Sequence, residues 1–96
     1  MPLAVQFRKM LLDHIPQIVS MFRLQWEEAQ DCYVLLYPEG MVQLSKSAGE
    51  IMKRIDGVHT IGAIINDLNT VFPDAKVDAD VTDFLDKAHE NGWIEI

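Results

Sequence analysis

The chain has 96 residues, which suffices for one small domain and leaves no room for a second. Its 49% apolar content and two Trp exclude a disordered chain, and no apolar run reaches the roughly 18 residues of a membrane span. Fifteen acidic against eight basic side chains leave a net charge of −7, which repels phosphate backbones, sets nucleic acid aside as a partner and favours basic or neutral ones.

Residues 1–21 are apolar-rich and carry Arg8 and Lys9. Met10-Leu11-Leu12 is too short for a signal-peptide core, and Asp13, His14 and Pro16 interrupt it. Leu3, Phe7, Met10, Leu11 and Ile18 fit a loose amphipathic helix broken near Pro16. This stretch therefore reads as an N-terminal extension, helical or disordered. It docks on the domain, pairs with another copy in a homodimer, or frays.

The domain proper begins at Phe22, where Phe22, Leu24 and Trp26 alternate with Arg23 and Gln25 as in a half-buried strand. Glu27 to Asp31 turns the chain, and Tyr33-Val34-Leu35-Leu36-Tyr37 is the continuous apolar run of a central strand covered on both faces. Cys32 is unpaired and lies in that strand, as a buried thiol does, and its reduced state fits the cytoplasm. Pro38-Glu39-Gly40 makes a turn into a short third strand, Met41-Val42-Gln43-Leu44, in which Val42 and Leu44 share a face.

Helices follow. Ser45 and Ser47 offer capping oxygens, Ser47 has capping-box spacing to Glu50, and Ala48, Ile51, Met52 and Ile55 form one apolar face ending at Asp56-Gly57. Thr60 caps a second helix with Ile61, Ile64, Ile65 and Leu68 inward, and the short connection packs the two helices together. Phe72-Pro73-Asp74 ends that pattern. Asp78 is placed to cap a third helix with the stripe Val81, Phe84, Leu85 and Ala88, ending at Asn91-Gly92, and Trp93 and Ile94 close the core. The fold class is α+β, of winged helix-turn-helix type: a three-stranded antiparallel sheet followed by three helices. Ile51, Ile55, Ile64, Leu68, Phe84 and Leu85 are expected to be buried together.

No catalytic constellation stands out. His14, His59 and His89 sit in three unrelated contexts, and the sequence has no HExxH, cysteine pair or glycine-rich phosphate loop, so no metal or cofactor is called for. In a DNA-reading winged helix the last helix enters the major groove, yet this one carries Asp78, Asp80, Asp83, Asp86 and Glu90 against the single Lys87. The third strand offers a different surface. As a sheet edge it has unpaired N–H and C=O groups that accept an extended peptide as a fourth strand, unless residues 1–21 cover it or it stays short and wet.

The order Tyr33-Val34-Leu35-Leu36-Tyr37-Pro38-Glu39-Gly40, Leu44-Ser45, Ala48-x-x-Ile51, Ile55-Asp56-Gly57, Thr60-Ile61, Asp80-Val81 and Gly92-Trp93-Ile94 resembles the PqqD family, coenzyme PQQ synthesis protein D, from about Phe22 to Ile96. The resemblance implies a peptide-recognition domain, of the kind found in systems that modify ribosomal peptides. Such a domain binds the precursor peptide PqqA along its third strand and third helix and presents it to the radical-SAM enzyme PqqE. On this chain the implied groove is Met41, Val42, Gln43 and Leu44 with Val81, Phe84, Lys87 and Ala88. The function expected is that of a cytoplasmic peptide chaperone in pyrroloquinoline quinone biosynthesis, with no catalytic group of its own. The competing reading is a non-catalytic winged helix that binds DNA or another protein.

Overall fold

A computed structural model describes residues 12–96. Among the described residues the strands and α-helices run in the order β1 (Gln17–Ile18), β2 (Arg23–Glu27), β3 (Cys32–Tyr37), β4 (Gly40–Gln43), α1 (Lys46–Met52), α2 (Ile61–Val71), α3 (Val77–Glu90) and β5 (Ile94–Glu95). The sheet is the antiparallel meander β2-β3-β4, with Leu24 opposite Leu35 on one side and Val42 opposite Leu35 on the other. In β3 the side chains of Val34 and Leu35 point to opposite faces and both are fully buried, which accounts for its unbroken apolar run. A 3-10 turn at Glu28–Gln30 joins β2 to β3 and closes on Asp31 in the left-handed conformation (φ 54°).

The helices cover one face of this sheet. Leu35, Leu44, Ala48, Ile51, Met52, Ile55, Ile61, Ile64, Ile65, Leu68, Val81, Leu85, Ala88 and Ile94 make one core, each large side chain contributing about 1.5–3 kcal/mol by leaving water. α1 sits close on β3 because residue 49 is glycine: a Cβ there would come within 3.0 Å of the Tyr33 ring. Phe84, expected in the core, is only half-buried. Leu85 takes the inward position, while Phe84 lies on the flank of α3 against the Trp93 ring, with centroids 6.5 Å apart.

The caps differ in detail from the expected ones. Ser45, not Ser47, caps α1 by accepting the Ala48 N–H (3.2 Å), so Ser47 falls inside the first turn and Glu50 is released to pair with Arg54. α1 ends at Met52, and Ile55 stays buried in the turn that follows. Asp56 then accepts the Val58 and His59 N–H groups (2.9 and 3.0 Å), and Thr60 caps α2 through the Ala63 N–H (3.1 Å). α3 starts one residue before Asp78 and has no side-chain cap; Asp78 accepts from the Asn69 side chain (3.1 Å) and ties α3 to α2. Behind α3, Gly92 at φ 76° and the Trp93 N–H on the Ala88 carbonyl (2.9 Å) close the helix.

A second, two-stranded sheet was not legible in the sequence. β1 pairs antiparallel with β5, Ile18 opposite Ile94, and the Val19 N–H reaches the Trp93 carbonyl (2.9 Å). Pro16 is buried, and the His14 carbonyl accepts the Ile61 N–H (2.9 Å), one of the orphan donors at the start of α2. Residues 12–21 thus lie on the domain. Leu3, Phe7, Met10 and Leu11 of the expected amphipathic helix fall outside the described residues, and Ile18 is in β1.

Candidate functional site

The backbone of β4 defines the edge. Leu44 N–H donates to the Tyr33 carbonyl (3.0 Å), and Gln43, Val42, Met41 and Gly40 stand opposite Val34, Leu35, Leu36 and Tyr37. In an antiparallel ladder hydrogen-bonded pairs alternate, so Val42 and Gly40 bond β3 while the N–H and C=O of Met41 and Gln43 point outward. Among the described residues β4 has no second strand neighbour. Two donors and two acceptors are therefore presented along an edge bearing no charged side chain.

Beyond Leu44 the edge leads to a cavity of about 530 Å³, within the size range of ligand pockets. Its walls are the first turns of α1 (Ser45, Lys46, Ser47, Glu50, Ile51), the end of α2 with its loop (Leu68, Phe72, Ala75) and the start of α3 (Val77, Asp80, Val81). Phe72, at 39% exposure, is a large apolar side chain left open at this wall. Arg54 braces two of the walls. Its guanidinium bonds the Glu50 carboxylate (2.9 Å) and carbonyl (2.8 Å) in α1 and Asp67 (2.5 Å) in α2. The Arg54 bond, opposed by burial and assisted by Lys53, holds the Glu50 carboxyl below its ordinary pKa.

The eight residues marked by the sequence divide into four groups. Met41 and Gln43 are exposed and offer backbone; Val42 and Phe84 are half-buried, packed against the core from β4 and α3; Lys87 is exposed on α3. Leu44, Val81 and Ala88 are core side chains, of which Val81 also lines the cavity. Sequence reasoning missed the cavity residues Lys46, Ile51, Leu68, Phe72, Ala75, Val77 and Asp80. Val77, one turn before Val81 on the same flank of α3, was the available signal, together with Phe72, which continues the spacing of Ile61, Ile65 and Leu68 just past the end of α2. Among the described residues no cluster of His, Cys, Asp or Glu could hold a metal ion, and no helix is long and apolar enough to cross a membrane.

Fold and edge together define a class: a small winged-helix-like α+β domain, in which an open edge strand leads to an apolar cavity between three helices. The chain belongs to the PqqD family, described as Coenzyme PQQ synthesis protein D, which it matches over residues 32–94. A PqqA binding protein of Pseudomonas aeruginosa (strain UCBPP-PA14) is 50% identical over 86 residues, 88% of this chain and 94% of the relative. One from Methylococcus capsulatus (strain ATCC 33009 / NCIMB 11132 / Bath) is 39% identical over 82 residues, 85% of this chain and 88% of the relative. Both alignments are longer than residues 22–96, so the likeness extends into the segment before Phe22. Among solved structures, the solution structure of the PqqD truncation of Methylobacterium extorquens PqqCD superposes with a TM-score of 0.72 at 25% identity, covering 84% of this chain and 88% of that one. That structure represents a functional, stand-alone recognition element for ribosomally synthesised and post-translationally modified peptides.

Proposed function

We propose that this chain binds the precursor peptide PqqA in pyrroloquinoline quinone biosynthesis, holding it as a strand added to β4. The outward N–H and C=O groups of Met41 and Gln43, set beside an apolar cavity in a PqqD-family fold, carry this reading. Backbone pairing supplies sequence-independent affinity, and selection comes from side chains entering the space between β4 and α3. Val42 and Phe84 form its apolar walls, Lys87 its exposed rim, and Leu44, Val81 and Ala88 the support behind. Residues 22–96 carry the binding surface, and residues 1–21 are an N-terminal extension of which His14 to Val19 pack on the domain. The domain acts by binding alone, in the cytoplasm, and hands the peptide to the radical-SAM enzyme PqqE.

Titrating isotope-labelled protein with a synthetic PqqA peptide tests the site. Amide shift changes should concentrate at Met41, Gln43, Val77, Val81 and Phe84. Changes confined to β2 or to the Asp56–Thr60 turn would rule this mode out. Adding PqqE to the binary complex should broaden the peptide resonances together with those of the domain. Release of free peptide on that addition would exclude presentation.

A further inference from the structure

The cavity beyond β4 is apolar inside, and most of the polar groups on its wall are already engaged. The Ser45 hydroxyl accepts the Ala48 N–H (3.2 Å) and lies 3.3 Å from the Ser47 hydroxyl, while the Glu50 carboxylate is held by Arg54 (2.9 Å) and Lys53 (3.4 Å). Two charges are left over. Lys46 opens α1 and Asp80 lies in the first turn of α3, so they stand on different walls; both are exposed, and neither has an ion pair among the described residues. Lys46 gains nothing from its own helix, because the first turn carries the positive end of the helix dipole and favours anions. The rest of the wall is apolar, so these two side chains set the electrostatic character of the opening.

We propose, on the reading that PqqA is held as a strand beside β4, that Lys46 and Asp80 select the peptide by charge. The apolar wall takes one large apolar side chain, Lys46 meets a peptide carboxylate, and Asp80 meets a peptide cation. The spacing follows from the extended backbone. Side chains alternate between faces, so when one residue points into the cavity the residues two before and two after it point the same way and stand over its opening. The preferred segment is therefore an apolar residue with an acidic side chain two positions to one side and a basic one two positions to the other. Opposite unpaired charges also work by exclusion. A peptide with the two charges exchanged sets like against like at both walls, although its composition and net charge are unchanged. Backbone pairing with Met41 and Gln43 cannot make this distinction, since it reads no side chains.

Calorimetric titration of the full chain with PqqA peptide at low salt, using charge-reversed forms of both partners, tests the pairing. Lys46→Glu and Asp80→Lys should each weaken binding about three- to tenfold, and less at high salt, as expected of exposed charge pairs. Arg23→Glu and Asp86→Lys change the net charge equally but lie away from the cavity, and should bind as the wild type does. Reversing one acidic residue of the peptide should restore binding to Lys46→Glu alone, and reversing one basic residue should restore it to Asp80→Lys alone. These two positions should lie two residues to either side of the apolar residue whose alanine variant binds most weakly. Wild-type affinity in both variants overturns the proposal, as do equal losses in the two controls, the absence of any rescuing peptide, or rescue at other spacings. In each of those outcomes the wild type still binds PqqA and the functional reading stands; a wild type that binds no PqqA peptide overturns both. Melting temperatures, expected to be unchanged, separate lost recognition from lost fold.

Discussion

Proline at position 43 tests strand addition at a single atom. The Gln43 N–H points away from β3 and has no strand partner among the described residues, so replacing it removes a donor that strand addition would use. The extended conformation suits the pyrrolidine ring, and Val42, already in a strand, tolerates a following proline. The domain should therefore stay within about 0.5 kcal/mol of wild-type stability. The peptide loses one backbone hydrogen bond, worth about 0.5–1.5 kcal/mol net, which raises Kd by about two- to twelvefold. Val42→Pro is the counterpart. Its N–H bonds β3, so the variant loses a ladder bond and should unfold at lower denaturant while Gln43→Pro does not. Isothermal titration with PqqA peptide, alongside urea unfolding of both variants, gives the two numbers needed. Unchanged affinity in a folded Gln43→Pro protein would refute strand addition at β4, and a Gln43→Pro protein destabilised as much as Val42→Pro would refute the assigned direction of the Gln43 N–H.

Ala75→Trp should fill the cavity from its exposed loop wall and displace one apolar side chain of the peptide, weakening binding about tenfold or more in fluorescence titration with little change in melting temperature. Ile64→Ala should cost about 2–5 kcal/mol in urea unfolding, whereas Phe84→Ala should fall below the roughly 3–5 kcal/mol of an enclosed phenylalanine, since its ring is only half-buried. The backbone N–H groups of His59 and Val58 pull the Asp56 carboxyl from 3.8 to about 2. The unfolded chain therefore takes up this proton first as pH falls. The contribution of Asp56 is complete above its unfolded value and lost as pH drops from about 4 toward 2, so unfolding midpoints of Asp56→Asn should decline less steeply across that window.

The strands and helices were legible because each has a periodic signature: alternation in β2, an unbroken apolar run in β3, and a three-four spacing in α2 and α3. The central strand was also readable as buried on both faces, since five consecutive apolar residues from Tyr33 to Tyr37 leave no wet side. What escaped were features set by tertiary partners. Two residues, Gln17 and Ile18, are too few to show a period, and their strand exists because Ile94 and Glu95 return beside them. Phe84 and Leu85 are equivalent on a hydropathy scale, and only the angle at which α3 docks decides which faces the core. The cavity follows the same logic. Its wall residues come from three helices and a loop, and no local pattern reports that Phe72, Ala75 and Val77 converge on Ile51 and Leu68.

The open sheet edge also explains where the charge sits. A neutral edge strand such as β4 is an open template for any extended chain, including another molecule's edge, and proteins ordinarily protect such strands with charge or proline. Placing charge on Met41 or Gln43 would protect β4 but would also repel part of any peptide that it must accept. The protection lies elsewhere instead. Asp78, Asp80, Asp83, Asp86 and Glu90 line α3, the helix that shares the proposed groove with β4, and supply five of the fifteen carboxylates behind an overall charge of −7 that keeps copies apart. Neutralising those carboxylates with amides should therefore leave the fold and the β4 backbone in place while making the protein precipitate sooner. Should the neutralised variant remain as soluble as the parent at matched concentration, measured by light scattering, the acidic helix is not what keeps the open strand safe.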